Sequence, residues 1–450
     1  MYSDRATIAA QATAPGEGAV AVIRISGPDA IVIAARIYSG PVASYATHTA
    51  HFGRILSAEK QPVDDVLLLV MRAPRSYTGE DTVEIQCHGG SLIARRVLEV
   101  VLKAGARAAL PGEFTYQAFR NGKIDLAQAE AVQQIIGAKN ELALNAASQQ
   151  LQGALSQKII QFQRELVDSA AILEAWVDFP EEGLEFASFE EVIDSLQKTR
   201  NSMAHLESTF EEGKKISEGL ALCICGAPNV GKSSLMNALL GKERAIVTPI
   251  PGTTRDLIEE ELRLSGLHFR LIDTAGIRQT DEPIEQEGIR RTHLTMEQAD
   301  LILFILDATR QLTDEEHALL QNAKSHKTLI IWNKIDLPHS TSPLDFEEVR
   351  ISAKMGIGLE ELKESLQKII WKKGPPAKDE VLLTSLRHKQ ALARAISALD
   401  LVVSGLKERV SPEFIASDMR ATLTSLASVI GMDISEDILS AIFAKFCVGK

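Results

Sequence analysis

The sequence predicts a multidomain chain of α+β and α/β character, in which an all-α domain is split by an inserted sheet domain. Three observations carry that expectation. From Leu220 to about Trp371, short apolar strands alternate with polar helical stretches, the pattern of a doubly wound, mostly parallel sheet. Helical periodicity occurs on both sides of that segment, from Asp125 to about Glu212 and from Leu383 to Phe446. Ahead of both, strands interleave with two helices between Thr7 and Leu110, as in a compact α+β domain.

A chain of 450 residues is long enough for several domains with cores of their own. The net charge of −12 argues against a general nucleic-acid coat. It leaves room for an RNA substrate bound by a local basic patch or a partner. Four cysteines do not make a disulfide framework. Cys223 and Cys225 sit two apart on an expected buried strand and read as core residues, while Cys87 beside His88 has no second Cys/His pair at ligand spacing. Residues 1–5 lack a signal-peptide pattern, and no apolar run approaches membrane-spanning length. A reduced, cytoplasmic protein with no membrane association is expected.

In the first region, Ala19–Ile25 reads as a strand and Asp29 as the cap of a helix over Ala30–Ile37. Strands are expected over His48–Ile55, Val63–Met71 and Val83–Cys87, then a helix over Ser91–Lys103 ending at Gly105, and a short strand reaching Leu110. Arg24 and Glu84 interrupt apolar strands. Alternation can put both on a solvated face. The sharper reading has them line a small-molecule pocket, Arg24 holding a carboxylate and Glu84 accepting N–H donors from a heterocycle.

Asp125 can cap a helical tract through Asn145. A second tract carries Leu151, Leu155, Ile159, Phe162, Leu166, Ala170, Leu173 and Val177 at spacings of three and four, a face made for packing on other helices. Phe179–Gly183 breaks it, and a further helix, Phe189–Glu212, is expected to stop at Gly213. Beyond a Gly374-Pro375-Pro376 linker, helices are expected over Leu383–Leu406, Pro412–Ile430 and Ile434–Phe446.

The inserted segment carries the chemistry. Gly226-Ala227-Pro228-Asn229-Val230-Gly231-Lys232-Ser233-Ser234 lies between an apolar run, Leu220–Cys225, and a helical pattern, Leu235–Leu240. That context makes GxxxxGK[ST] a phosphate loop. Backbone N–H groups and the helix N-terminus face the anion. Lys232 would neutralise the β- and γ-phosphates and Ser233 would ligate Mg²⁺. Asn333-Lys334-Ile335-Asp336 ends another apolar strand. The Asp336 carboxylate can accept both donors of the guanine edge, a pair adenine lacks. Ser352-Ala353-Lys354 supplies a backbone N–H for O6, so the nucleotide read here is GTP. Glu259–Leu264 and His268–Ile272 flank a hairpin signal at Ser265-Gly266. Strands over Leu301–Leu306, Thr328–Ile331 and Val349–Ile351 and helices near Asp314–Lys324 and Leu359–Ile370 complete the sheet domain.

Asp273-Thr274-Ala275-Gly276 follows a strand. Asp273 would hold Mg²⁺ through water, and the Gly276 N–H would sense the γ-phosphate. In Gly252-Thr253-Thr254-Arg255-Asp256, Thr254 can complete the Mg²⁺ shell. Both loops would be ordered by the γ-phosphate and released on hydrolysis. Ile277 stands where Ras-like proteins carry the Gln that orients water. Position alone does not choose among Asp281, Glu282, Glu285 and Glu287 as its replacement, nor name an arginine finger.

Taken together, the motifs resemble the MnmE (TrmE) family of tRNA wobble-uridine modification GTPases. The marks are Ser76-Tyr77-Thr78-Gly79-Glu80-Asp81, His88-Gly89-Gly90, Pro111-Gly112-Glu113-Phe114, Asp125-Leu126-Ala127-Gln128-Ala129-Glu130, the four nucleotide motifs and the final Cys447-Val448-Gly449-Lys450. They span the whole chain. The resemblance implies a folate-binding-like, dimer-forming α+β domain over residues 1–120, helical parts over 121–215 and 373–450, and an inserted Ras-like P-loop G domain over 216–372. It implies 5-formyl- or methylene-tetrahydrofolate contacts at Arg24, Glu84, Lys123 and Lys450. It implies GTP contacts at Asn229–Ser234, Thr248, Thr254, Asp273–Gly276, Asn333, Lys334, Asp336 and Ser352–Lys354. K⁺ would be held by Asn229, Thr248, Ile250 and Thr253, in the place of an arginine finger. Glu285 matches the family glutamate that positions water, and Cys447 the cysteine implicated in modification.

The family works as a homodimer with a FAD-dependent partner, MnmG, in a heterotetramer, on tRNA. No GxGxxG follows a strand in this chain, which fits flavin residing on the partner only. Val448 stands where the family usually has Ile, and Pro251 precedes GTTRD. The implied function is K⁺-activated GTP hydrolysis coupled to carboxymethylaminomethyl (or aminomethyl) addition at C5 of the wobble uridine, with a methylene-tetrahydrofolate one-carbon unit. The competing reading is a ribosome-assembly switch like Era or Der, which shares the nucleotide motifs. The split helical domain, the N-terminal module and the CVGK tail separate the two, as does the lack of a basic RNA-binding domain.

Overall fold

The computed structural model describes residues 6–178, 189–242, 261–264, 266–272, 295–339, 341, 343–371, 374, 376–377, 380–432 and 434–449. They form two compact units. One comprises Met1–Ile136, Gln149–Ala204 and Gln390–Lys450, the other Gly137–Ser148 and His205–Lys389.

The first unit opens with a six-stranded sheet of order β3-β4-β5-β2-β1-β6. Its strands are β1 (Ile8–Gln11), β2 (Val20–Ser26), β3 (Thr49–Leu56), β4 (Pro62–Met71), β5 (Thr82–His88) and β6 (Arg107–Ala108). All neighbours are antiparallel except β1 and β6. Ile23, Ile25, Leu68, Val70, Val83 and Ile85 share one face, and α1 (Ala30–Ile37) and α2 (Ser91–Lys103) cover it. The period-two alternation of β2 and β5 thus places Arg24 and Glu84 on the other face.

One strand and one α-helix of this unit have no counterpart in the sequence reading. Strand β1 is Ile-Ala-Ala-Gln, which has little strand propensity. Pairing with β2 on one side and β6 on the other makes it a strand. Helix α3 (Glu113–Arg120) is rich in aromatic and β-branched residues, which obscures its signal. It starts because the buried Glu113 carboxylate accepts the Leu110 N–H at 2.7 Å and pairs with Arg107. Asp29 stands at the expected cap of α1, but its side chain makes no cap bond. Its N–H donates to Thr7 Oγ1 at 2.9 Å instead.

The expected tract from Asp125 to Asn145 is two helices, α4 (Leu126–Gly137) and α5 (Glu141–Leu151). Asp125 caps the first as expected: its Oδ1 accepts the Gln128 N–H at 2.8 Å, and Gln128 Oε1 accepts the Asp125 N–H at 3.0 Å. Asn140 starts the second by accepting the Ala143 N–H at 2.7 Å. Helix α6 (Ala154–Asp178) buries Leu155, Ile159, Phe162, Leu166 and Leu173 of the face its periodicity selects, whereas Leu151 ends α5 and Ala170 is half-buried. It packs along the helix Pro412–Ile430, so segments preceding and following the sheet unit share one body. Arg420–Glu174 and Arg200–Asp400 pairs tie the same segments at the surface, where each adds little. The break at Phe179–Gly183 falls outside the described residues.

The helix expected to stop at Gly213 does not stop there. Helix α7 (Phe189–Ser208) is followed by α8 (Phe210–Glu218), which runs through Gly213 to a C-terminal Gly219. A Cβ at Gly213 would collide with the Leu383 carbonyl oxygen. The glycine is there for close backbone approach, a requirement invisible in local sequence.

The second unit is built on a sheet of order β12-β11-β10-β7-β9-β8. Its strands are β7 (Leu220–Cys225), β8 (Glu261–Leu264), β9 (Leu267–Ile272), β10 (Leu301–Asp307), β11 (Thr328–Asn333) and β12 (Glu347–Arg350). All pairs are parallel except the β8–β9 hairpin. The central strands β7, β10 and β11 are buried on both faces, as continuous apolar runs require. Leu222, Ile224, Leu303, Ile305 and Ile331 pack on one side beneath α9 (Lys232–Lys242) and the helix Leu359–Ile370. Cys223, Cys225, Ile302, Phe304 and Trp332 pack on the other beneath the helix Asp314–Ala323. Both cysteines therefore belong to one core. Among the described residues, no helix is long and apolar enough to cross a membrane.

Candidate functional site

Strand β7 pairs with β9 on one side and β10 on the other. The chain order reverses there, the position at which open sheets of this kind bind ligands, beyond the carboxyl ends of their strands. The loop 226–231 occupies that position and leads into α9 at Lys232. Gly231 has φ +105°, and a Cβ on it would strike the Asn333 amide nitrogen. Asn229 takes φ +61°, a left-handed conformation that Asn tolerates better than most residues, and it is exposed. Lys232 Nζ donates to the carbonyls of Gly226 at 2.8 Å and Ala227 at 3.0 Å. Its ammonium thus sits within the loop, and burial holds it below the usual lysine range. Ser233 and Ser234 are exposed in the first turn of α9.

The base-side motif is joined to this loop. Asn333, buried at the end of β11, donates from Nδ2 to the Val230 carbonyl at 2.8 Å. Its Oδ1 accepts the Ala353 N–H at 3.0 Å. One side chain therefore links the phosphate loop to the loop after β12. Asp336 is exposed, and its Oδ1 accepts the Ser352 hydroxyl at 2.7 Å. The same hydroxyl oxygen accepts the Met355 N–H at 3.2 Å. Lys354 is exposed beside them. Residues over a hundred positions apart in sequence, Val230 to Asn333 to Ala353, thus converge at one end of the sheet.

In the first unit, Arg24 and Glu84 are direct cross-strand partners. Arg24 Nε and Nη2 both lie 2.8 Å from Glu84 Oε1. Their side chains are only 20% and 17% exposed, so neither is a solvated surface charge. The guanidinium carbon lies 5.8 Å from the Tyr77 ring centroid and 5.6 Å from that of Phe114. Tyr77 hydrogen-bonds Thr115 at 2.9 Å, and Asn121 donates to the Thr78 carbonyl at 2.7 Å. Together the contacts clamp the loop 76–81 to α3 and to Asn121 just after it. Lys123 Nζ donates to the Pro74 carbonyl at 3.1 Å beside that loop. The tail comes to the same domain: the Cys447 carbonyl accepts the Gly112 N–H at 3.3 Å, with Cys447 exposed.

Two family models match this chain: the MnmE helical domain over residues 126–447, and the GTP-binding protein TrmE N-terminus over 7–123. The first spans more than half of the chain. The chain belongs to the MnmE family. The curated tRNA modification GTPase MnmE of Protochlamydia amoebophila (strain UWE25) is 59% identical, covering 100% of this chain and 98% of its own. That of Chlamydia trachomatis serovar L2 is 45% identical, covering 99% of each. Among solved structures, the G domain of the T. maritima FeoB iron transporter aligns with 34% of this chain and 99% of its own, at 27% identity and a TM-score of 0.26.

For this MnmE-family chain, Thr248, Ile250, Thr253, Thr254, Asp273, Thr274, Ala275, Gly276, Glu285 and Lys450 lie outside the described residues. Two groups beside the base-side motif have no place in the sequence reading. Asp307, at the end of β10, holds Lys334 Nζ on Oδ2 at 2.6 Å. Its Oδ1 accepts the Thr309 N–H at 2.9 Å and hydroxyl at 2.6 Å. Burial alone would raise the Asp307 carboxyl, but these hydrogen bonds outweigh it and hold the group below the usual aspartate range. An Asp ending an apolar strand level with NKID was the only signal available, and it resembles an ordinary strand end.

Proposed function

We propose that this chain is a K⁺-activated GTPase that acts with a FAD-dependent MnmG-like partner on tRNA. Together they would add a carboxymethylaminomethyl or aminomethyl group to C5 of the wobble uridine, drawing the one-carbon unit from methylene-tetrahydrofolate. The observation that carries the reading is the end-to-end 59% identity to a curated tRNA modification GTPase. The Asn333 link between Val230 and Ala353 supports it, because it joins a phosphate-binding to a base-reading loop.

In this reading Lys232 neutralises the β- and γ-phosphates, and the Asp336 carboxylate reads the guanine edge. The Ala353 and Lys354 backbone meets O6. Ser233 with Thr254 would hold Mg²⁺, with Asp273 acting through water. The exposed Asn229 offers a side-chain oxygen suited to K⁺, with Thr248, Ile250 and Thr253 completing the set. K⁺ bound there would stabilise charge developing in the transition state, and Glu285 would position water. The half-buried Arg24–Glu84 pair, with its guanidinium near the Tyr77 and Phe114 rings, suits a planar, charged heterocycle, so we assign the folate to Arg24, Glu84, Lys123 and Lys450. We assign residues 1–120 to the folate-binding and dimerisation domain, 121–215 and 373–450 to the helical domain, and 216–372 to the G domain. The protein would work in the cytoplasm as a homodimer within a heterotetramer.

GTP turnover should fall at least about tenfold when Na⁺ replaces K⁺, the loss of a charge-stabilising contact. Asn229→Ala should erase that difference, and equal wild-type rates in both salts would end the potassium assignment. For the modification itself, nucleoside mass spectrometry of tRNA from cells lacking the gene should show unmodified wobble uridine. Cells carrying Cys447→Ser should show the same defect while the purified variant hydrolyses GTP normally. An unchanged uridine profile in the deletion would favour an assembly GTPase.

A further inference from the structure

The contacts around Lys334 form a closed set. Strand pairing sets Asp307 opposite Asn333, and the Ala308 N–H donates to the Asn333 carbonyl at 2.9 Å. Lys334 follows with φ +69°, a backbone conformation that a lysine keeps only where its surroundings impose it. Its ammonium ends on Asp307 Oδ2, while the second carboxylate oxygen is occupied by Thr309. The Asp307 side chain is 10% exposed and that of Lys334 32%. The carboxylate is therefore oriented through Oδ1 by Thr309, which leaves Oδ2 for the lysine.

Resting on the guanine-site reading above, we propose that Asp307 is the positioning residue of the base-binding half. It fixes Lys334 at its charged end so that the aliphatic stem forms a floor for the purine, and so governs how long a guanine nucleotide stays bound. A long side chain held at both ends offers a flat apolar surface and loses little further freedom when a base settles on it. Asp307 touches no nucleotide in this scheme and acts through Lys334 alone. Thr309 serves one step further back, by holding the carboxylate.

The test is stopped-flow release of the fluorescent nucleotide mant-GDP from the full-length protein. Asp307→Asn keeps the side-chain shape and an oxygen for Thr309, but turns a donor or an uncharged oxygen toward the ammonium. Release should speed up about tenfold, the scale of one charge-assisted hydrogen bond. KM for GTP should rise by a similar factor, and the loss should fall on KM rather than kcat. Lys334→Met keeps most of the stem and removes the charge. In that background Asp307→Asn should add no further loss. Unchanged release in Asp307→Asn, or additive losses in the double variant, overturns the assignment. If Asp307→Asn fails to fold, Thr309→Val carries the test, with release about threefold faster expected from one weaker contact and no change counting against it. A wild-type chain that binds no mant-GDP overturns the guanine-site reading and this assignment together. Normal wild-type binding with an unaffected variant overturns this one alone.

Discussion

Replacing Asn333 with alanine should weaken GTP and GDP binding by at least about thirtyfold. The side chain satisfies two buried backbone groups at once, the Val230 carbonyl at 2.8 Å and the Ala353 N–H at 3.0 Å. Leaving a buried polar group unpaired costs about 1–3 kcal/mol. Two such losses come to about 2–6 kcal/mol, and about 1.4 kcal/mol is a tenfold change in affinity. Most of the cost should appear in binding, because both orphaned groups lie in the loops that would receive the nucleotide, while β11 keeps its pairing to β10 and β12. Asn333→Asp should be intermediate, since a carboxylate can still accept from Ala353 but has nothing to give Val230. Titration of mant-GTP and mant-GDP would check this. An affinity within about threefold of wild type would mean that neighbouring groups re-satisfy both loops.

Phe443→Ala should cost about 3–5 kcal/mol locally, the range for deleting a fully buried aromatic side chain. Phe443 is 0% exposed. Its ring lies 5.3 Å from Tyr116 in an edge-on arrangement and 5.3 Å from Phe446, with Phe119 at 6.2 Å. These rings pin the helix Glu436–Phe443 to α3, and Leu126 and Ala129 of α4 join the same cluster. The Cys447 segment hangs from that helix, clipped to Gly112 by one hydrogen bond of 3.3 Å. Loss of the anchor should free the tail, and thiol labelling of Cys447 and hydrogen exchange over 436–449 should both rise. The sheet of the second unit has a core of its own, so GTP hydrolysis should survive while wobble-uridine modification is lost. Unchanged exchange at the tail would show that Phe443 does not hold it. Loss of GTP hydrolysis as well would show that the effect is not local.

The nucleotide unit was the most legible part of the chain. Its central strands β7, β10 and β11 are buried on both faces, so they read as apolar runs, and the loops beside them carry phosphate-loop and NKID motifs that are legible locally. Helix α6 was legible for a similar reason, since a periodic apolar face needs no tertiary information. The candidate site was legible only as separate motifs. That Asn333 would reach both Val230 and Ala353 depends on the neighbouring strand order of β7, β10 and β11, which no local pattern contains.

Where the reading failed, long-range contact overrode local preference. Strand β1 exists because β2 and β6 pair with it, despite its two alanines. Gly213 looked like a helix stop and instead lets the backbone at Leu383 come close. Asp29 looked like a cap and gives its N–H to Thr7. The amino-acid order by itself determined most of the helices and strands and placed the candidate phosphate-loop and NKID motifs at strand ends, because these follow from periodicity and from chemistry within a few residues. Only the tertiary structure decided that Arg24 pairs with Glu84, that Asn333 bridges two loops and that Asp307 holds Lys334. Each joins residues far apart in sequence, and their meeting is fixed by strand register and close packing.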